Sequence, residues 1–150
     1  VEASEADKNL SIGDFIPPQD GRVVCSDRGS DLGTCYLISN RQKAGFVSED
    51  VFNGLGFSFD NVFYGDISFL PTTSNIETAS QAHLPGTIIL NNNTIQLISN
   101  SGLLGFPSLN TFLSWGYDLN MVVPANSFDN LLTQNSVVVP RQAGQIMMSY

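Results

Sequence analysis

Short runs of apolar residues alternate with polar turns along most of this chain, and the alternation recurs after 60 positions. A fixed period of this kind indicates one supersecondary unit used more than once. The positions that recur are mostly apolar residues, glycine or serine, so they describe a scaffold more clearly than a set of reacting groups. Segments 36–69 and 96–129 match at Leu37/Leu97, Ile38/Ile98, Ser39/Ser99, Asn40/Asn100, Gly45/Gly105, Phe46/Phe106, Ser48/Ser108, Phe52/Phe112, Gly56/Gly116 and Val62/Val122.

Each copy opens with a pattern typical of three short antiparallel strands. A β-branched pair after Gly starts the first strand, and a polar turn leads to the second. Asn40 or Asn100, both of which tolerate a positive φ, then turns the chain into the third strand. The predicted strands start at Val23, span 35–39 and end at Phe46 in the first copy, and start at Ile88, span 94–99 and end at Phe106 in the second.

A short helix is predicted after these strands. Ser48 is the predicted N-cap, Glu49 and Asp50 favour the positive end of the helix dipole, and Gly56 suits the left-handed residue beyond the last turn. The second copy repeats the cap and the glycine. Because about two turns of helix are unstable alone, we expect one apolar face to be buried on the sheet. A further strand near 61–64 and its counterpart in the second copy complete the unit.

The sequence therefore predicts an α+β fold with two tandem copies of a small antiparallel meander plus a short helix, in the order β-β-β-α-β. We expect a flexible leader over residues 1–18, the first copy over 19–84 and the second over 85–142. Within residues 143–150, the segment 143–148 has the same pattern as residues 85–90, where the first strand of the second copy begins. Residues 143–150 are predicted to close the second sheet or to begin a third copy.

Two cysteines, Cys25 and Cys35, flank a polar loop between the first two predicted strands. Antiparallel pairing would bring their Cα atoms near the separation that a disulfide needs. A disulfide implies an oxidising compartment, hence an extracellular or cell-surface location. The alternative is a pair of buried thiols in a cytoplasmic protein, and zinc ligation is disfavoured because neither Cys has a second Cys or a His at zinc spacing.

Charged residues are scarce in this chain, and their scarcity limits which classes of binding partner are expected. Charged residues make up 13% of the chain and the formal net charge is -8, against a typical charged fraction of about 25%. No Lys or Arg occurs between Ala44 and Pro140. Nucleic-acid and anionic-membrane binding both draw on basic residues, so neither partner is expected. No apolar run is long enough for a membrane span, and no cofactor is predicted.

A family resemblance rests on residues 36–43, Phe46, Ser48, Phe52 and 56–57. They resemble a repeat of the form Y-[LV]-I-x-N-G-x-K-x-x-[FI]-x-S-x-x-x-F-x-x-x-G-[FY], which occurs in tandem in secreted and cell-surface proteins of bacteria, often beside cell-wall or hydrolase domains. The resemblance covers about residues 21–148 and implies no established catalytic role. This chain departs from the pattern at Arg41, where the family has glycine, and at Leu103, where the basic residue is lost.

Exposed rings flanked by amides are typical of sugar-binding sites, and this pattern supplies the candidate ligand-binding residues. Core packing explains several of the rings equally well, because Trp115 corresponds to Leu55 and Tyr117 to Phe57. A cell-wall glycan or an envelope protein is the expected partner. The candidates are Tyr36, Asn40, Arg41, Lys43, Asn100, Trp115 and Tyr117.

Other candidate chemistry is weaker. His83 has Ser80 nearby but no acid orienter in a recognisable pattern, so it is interpreted as a linker residue. Asp20, Asp27 and Asp31 offer oxygen ligands for Ca²⁺, but their spacing fits no EF-hand, and a solvated loop is the preferred interpretation. No catalytic or metal-ligating residues are predicted.

The sequence thus predicts a non-enzymatic, extracytoplasmic repeat module of a bacterial surface protein, used for binding, adhesion or spacing. One alternative is an accessory domain of a secreted hydrolase, with Asp66, Glu77, His83 or Asp118 lining a cleft between the copies. Another is a structural subunit that associates with itself through its terminal strand.

Overall fold

The structure of the protein, a computed structural model, describes residues 18–137. It is an α+β fold with two β-sheets and short helices, as the sequence predicts at this level. The predicted leader lies almost entirely outside the described residues, and the predicted terminal strand at 143–150 lies wholly outside them. No helix within the described range is long and apolar enough to cross a membrane.

The first sheet holds four strands in the order β3-β2-β1-β4. β2 pairs antiparallel with both β1 and β3, whereas β4 returns parallel to β1 because α1 and a 3₁₀ turn carry the chain back to the same end. The elements are β1 (Val23–Ser26), β2 (Cys35–Ser39), β3 (Gln42–Gly45), α1 (Glu49–Gly54), a 3₁₀ turn (Phe59–Asn61) and β4 (Phe63–Gly65).

The second sheet holds five strands in the order β8-β5-β6-β7-β9. β5, β6 and β7 form an antiparallel meander, β8 returns parallel to β5, and β9 adds a parallel edge beside β7. The elements are β5 (Ile88–Asn91), β6 (Thr94–Ser99), β7 (Gly102–Gly105), α2 (Leu109–Ser114), a 3₁₀ turn (Leu119–Met121), β8 (Val122–Pro124), a 3₁₀ turn (Asp129–Leu131) and β9 (Gln134–Val137).

The β9 strand was not predicted. In the first sheet the corresponding edge of β3 is followed by an extended segment at 72–76 instead of a full strand. Two bonds join them at one end, from the Lys43 amide to the carbonyl of Pro71 and from the Thr73 amide to the carbonyl of Lys43, each 2.9 Å. Further along, the Ile76 amide donates to Gly45 at 2.7 Å. Both meanders therefore have their outer edge covered, which limits edge-to-edge association.

The helix ends follow the predicted chemistry. The Ser48 hydroxyl accepts a hydrogen bond from the amide of Val51 at 3.2 Å, and Ser108 does the same for the amide of Thr111 at 3.2 Å. Gly56 takes a φ of 93° beyond α1, a conformation that side chains disfavour. One detail of the turns differs from prediction, since Asn100 is not among the residues with a positive φ.

Aromatic rings seal the helix of each sheet in closely similar geometry. Phe46 and Phe52 meet edge to face with their centroids 5.1 Å apart and their planes at 84°. Phe106 and Phe112 do so at 5.3 Å and 87°. Such pairs add about 0.5–1.5 kcal/mol to the free energy gained by burying their area. The third ring of each group is Phe57 or Tyr117.

The core is layered. A central cluster joins Leu37 of the first sheet and Phe52 of α1 to Ile89 and Ile98 of the second sheet, so α1 lies between the two sheets. A second cluster packs α2 on the opposite face of the second sheet. A third covers the outer face of the first sheet with the segment that contains Ile67. The order of layers is segment, sheet, helix, sheet, helix.

Candidate functional site: a polar cleft at the hairpin turns

The predicted disulfide is present between Cys25 and Cys35. The two residues are paired across β1 and β2, and their Cα atoms lie 3.9 Å apart. The bond closes the base of the polar loop between these strands. It is consistent with an oxidising, extracytoplasmic environment.

The β2–β3 turn is held in shape by a carboxylate. Asn40 and Arg41 have φ values of 53° and 62°, the left-handed conformation that favours glycine. The largely buried Asp20 carboxylate accepts hydrogen bonds from their backbone amides, at 2.9 Å and 3.0 Å. Asp20 thus accepts hydrogen bonds from two turn amides. It does not join Asp27 and Asp31 in a Ca²⁺ site.

Two of the predicted ligand-binding residues meet at this turn. The side-chain amides of Asn40 and Asn100 bond reciprocally, each NH₂ donating to the other carbonyl oxygen at 3.1 Å. Both side chains are exposed, and Arg41 is exposed beside them. The two hairpin turns therefore present amides and one guanidinium on a common surface.

Close backbone contact holds the two turns together. Ser39 donates from its hydroxyl to the carbonyl of Pro85 at 2.6 Å. Gly21 and Gly86 pack against each other. A Cβ on Gly21 would collide with the carbonyl oxygen of Gly86, and one on Gly86 would lie 2.7 Å from the Cβ of Asp20. Both glycines also have a positive φ, so any other residue at either position would be strained.

Beside the turns lies a concavity of about 360 Å³, which we call the polar cleft. The β2–β3 turn, the extended segment 72–76 and the chain at 81–85 form its walls. Within the described part of the chain, the side-chain amides of Gln42, Asn75 and Gln81 make no hydrogen bond. The cleft thus offers amide donors and acceptors and carries no ionised lining group.

Lys43 and Tyr36, also predicted to bind ligand, are engaged on the outer face of the first sheet. The Lys43 ammonium, on a side chain only 7% exposed, donates to the carbonyl of Ile67 at 3.0 Å and lies 5.1 Å from the centroid of the Tyr36 ring. The Tyr36 hydroxyl donates to Asp31 at 2.9 Å. Burial, reinforced by this bond, raises the pKa of Tyr36. These contacts anchor the disulfide loop to the sheet.

The remaining two candidates lie in the core. Trp115 is 7% exposed and Tyr117 is 3% exposed, and both belong to the cluster beneath α2. Their rings therefore offer no open face to a ligand. Their counterparts Leu55 and Phe57 are buried as well, which fits the core-packing alternative. A ring-lined site built on Trp115 and Tyr117 is not assembled.

The acidic loop engages its own neighbours. Asp27 pairs with Arg28 at 2.8 Å, and this hydrogen bond is the main cause of its lowered pKa. Hydrogen bonds from Tyr36 and Ser26 lower the pKa of Asp31. Over residues 18–137, no group of three or more His, Cys, Asp or Glu side chains is arranged to hold a metal ion.

His83 has a role that the sequence did not reveal. Its ring is 1% exposed, and Nδ1 lies 2.7 Å from the fully buried carboxylate of Asp129. Nε2 lies 2.6 Å from the carbonyl oxygen of Leu55. Both oxygen atoms can accept a hydrogen bond from the ring. His83 pairs with Asp129 instead of Ser80 and ties α1 to the chain beyond β8.

The Asp129 carboxylate is satisfied on both oxygens. The amide of His83 donates to Oδ1 at 2.8 Å, and the amide of Asn126 donates to Oδ2 at 3.0 Å. Burial alone would raise the pKa of Asp129. The hydrogen bonds from the His83 ring and the Asn126 amide outweigh that effect and hold the pKa below its usual value.

Comparison with known proteins adds no relative to this picture. No protein-family model matches the chain, and no curated protein or solved structure is significantly similar to it. What the polar cleft can bind is therefore inferred from its own residues alone.

Proposed function

We propose that this chain is a non-enzymatic, extracytoplasmic module of a bacterial surface protein that binds a neutral, hydroxyl-rich ligand such as a cell-wall glycan in the polar cleft. The observation that carries the proposal is the convergence of the Gln42, Asn75 and Gln81 amides at the turn that also holds Asn40. Amides donate and accept at once, as sugar hydroxyls do. The disulfide and the resemblance to tandem repeats of bacterial surface proteins support the location.

The architecture behind the proposal is two copies of one unit. Three observations support it: the same order of elements in 23–65 and 88–124, matching strand registers, and matching aromatic geometry. In the registers, Val23 faces Leu37 as Ile88 faces Leu97. A unit used twice places its two hairpin turns side by side, which is how Asn40 meets Asn100.

Ligand titration followed by NMR tests the cleft directly. Neutral oligosaccharides and peptidoglycan fragments are added to the isotope-labelled full chain, and we expect shift changes at Gln42, Asn75 and Gln81. Asn75→Ala should weaken binding about tenfold, because one good hydrogen bond to a ligand contributes about 1–1.5 kcal/mol. Asn53→Ala, an exposed amide on α1, is the matched control and should leave affinity unchanged.

Two results would count against the cleft. If none of the sugars shifts its resonances, a spacing role is favoured over binding. If Asn53→Ala and Asn75→Ala weaken binding equally, the ligand sits elsewhere on the surface.

The hydrolase alternative needs its charged groups to meet in one cleft. Instead, Asp66 caps its own turn through Ser68 at 2.7 Å, and Asp118 lies 3.5 Å from Arg22. His83 is buried against Asp129. No observation favours this alternative over binding. Self-association through residues 143–150 falls outside the described residues, and light scattering with and without residues 141–150 tests it.

A further inference from the structure

A second concavity, which we call the apolar groove, opens on the outer face of the first sheet. It has a volume of about 530 Å³. Its lining includes Pro18, Arg22, Val24, Phe63, Tyr64, Asp66 and Phe69. Phe63 is 49% exposed and Tyr64 68% exposed. The Arg22 guanidinium lies 4.8 Å from the centroid of the Phe63 ring. So much exposed aromatic surface beside a buried strand is typical of a docking surface.

The second sheet has the same seat, and there it is filled. Val24 pairs with Phe63 in the register in which Ile89 pairs with Val123. Ile89 and Val123 are buried in the central cluster, against Leu55 and Phe57 from the end of α1.

Gly56, between Leu55 and Phe57, packs closely against the second sheet. A Cβ on Gly56 would lie 2.8 Å from Pro124, which corresponds to Tyr64. An apolar residue, a glycine and an aromatic residue at a helix end are therefore what this face of the sheet receives.

The chain carries a segment with the same order of residue types just before the groove. Ile12, Gly13 and Phe15 repeat the apolar residue, glycine and aromatic residue of Leu55–Phe57, with Asp14 as one extra position. Pro18 lines the groove, so Phe15 is three residues away, a reach of about 10 Å.

We propose that residues 12–15 dock in the apolar groove of their own chain, as Leu55–Phe57 docks on the second sheet. The segment then covers the exposed rings of Phe63 and Tyr64 on the outer face of the first sheet. Tethering gives it a high effective concentration over any partner in solution. The inference is independent of ligand binding in the polar cleft.

Substitutions in the full-length chain test the docking. Phe15→Ser should lower the Tm by about 3 °C, the shift typical of a modest loss of burial in a chain of this size. Leu10→Ser, which removes a similar apolar side chain outside the docking motif, should leave the Tm unchanged. A synthetic peptide of residues 9–17, added at saturation, should restore the Tm of Phe15→Ser but not alter that of the wild-type chain.

A double-mutant cycle identifies the seat. Phe63→Ser should cost a similar shift, and the double variant should melt no lower than Phe63→Ser alone, because the two rings lose one shared contact. Nuclear Overhauser contacts between the Phe15 ring and the Val24 methyl groups are expected in the wild-type chain.

Equal Tm values for Phe15→Ser and Leu10→Ser, additive effects in the cycle, or the absence of those contacts would each overturn the proposal. A wild-type dimer that depends on concentration and is abolished by Phe63→Ser would assign the groove to a second copy of the chain instead.

Discussion

Lys43 and Leu103 occupy equivalent positions in β3 and β7, yet their surroundings differ. Leu103 belongs to the central cluster, in which α1 packs on the second sheet. Lys43 lies on the outer face of the first sheet, where its ammonium reaches the carbonyl of Ile67. Beside Leu103 the neighbours are apolar side chains, whereas the segment that covers Lys43 presents the backbone carbonyl of Ile67, so a long cation can be buried there with its charged end hydrogen-bonded. The two sheets differ at this position because the groups packed against it differ.

The largest effect should come from the aromatic seals that the two sheets share. Phe52→Ala and Phe112→Ala should each lower the free energy of unfolding by about 3–5 kcal/mol, because each removes a fully buried ring and leaves a cavity. Urea denaturation measures both. Phe128→Ala removes an exposed ring of the same type and should cost under about 1 kcal/mol. Unequal losses at Phe52 and Phe112 would mean that the two seals are not equivalent.

Placing Lys at position 103 and Leu at position 43 should lower the free energy of unfolding by very different amounts. Leu103→Lys places an ammonium in the central cluster and should destabilise the fold by about 3 kcal/mol or more. Lys43→Leu loses one hydrogen bond to Ile67 and should cost about 1 kcal/mol. Thermal and urea denaturation of both variants provide the measurement. Comparable losses would show that the two positions impose the same requirement.

The buried contact between Asp129 and His83 should make the free energy of unfolding depend on pH. The pKa of Asp129 is lowered in the fold, so its contribution is fully present above its unfolded value of about 4 and is lost as the pH falls through the folded value. Asp129→Asn should cost about 3 kcal/mol at pH 7 and flatten the loss of stability below about pH 4. Asp50→Asn, exposed at the start of α1, serves as the control and should leave the acid profile intact. Denaturation midpoints from pH 2 to 7 decide the matter, and an unchanged slope in Asp129→Asn would contradict the assignment.

The smallest effect concerns the hairpin turn of the first sheet. Arg41 has a φ of 62°, where a side chain costs about 1 kcal/mol relative to glycine. Arg41→Gly should therefore stabilise the chain by up to about 1 kcal/mol, since the Arg41 side chain is exposed and makes no hydrogen bond or ion pair with the residues that the structure describes. Differential scanning calorimetry would register this as a small rise in Tm. A fall in Tm would show that the side chain stabilises the turn by more than its backbone conformation costs.

Local features of this fold were predictable from the sequence because local chemistry determines them. Ser48 caps a helix through the amide three residues ahead, and Cys25 pairs with Cys35 across a single hairpin. The β9 strand was missed because Gln134–Val137 shows no apolar alternation. Its strand conformation comes from pairing with β7.

The candidate site was predicted less well, because it depends on packing between distant segments. Asn40 and Asn100 were named as candidates, but nothing local shows that they bond to each other. Gln42 and Asn75 were missed because the extended segment that brings them together has no sequence signature. His83 finds its partner 46 residues away. A lone histidine in a linker gives no sign of a carboxylate so far along the chain.

The position of α1 between the two sheets determines which parts of this protein fold together. One side of the helix packs on its own sheet and the other on the sheet that follows, and Gly54 lies against Ala79 of the connecting chain. A fragment ending at residue 84 would leave the second side of the helix exposed to water. The helix therefore couples the two sheets, and we expect them to unfold together. A protease should accordingly cleave the connecting chain only in molecules in which the two sheets have separated.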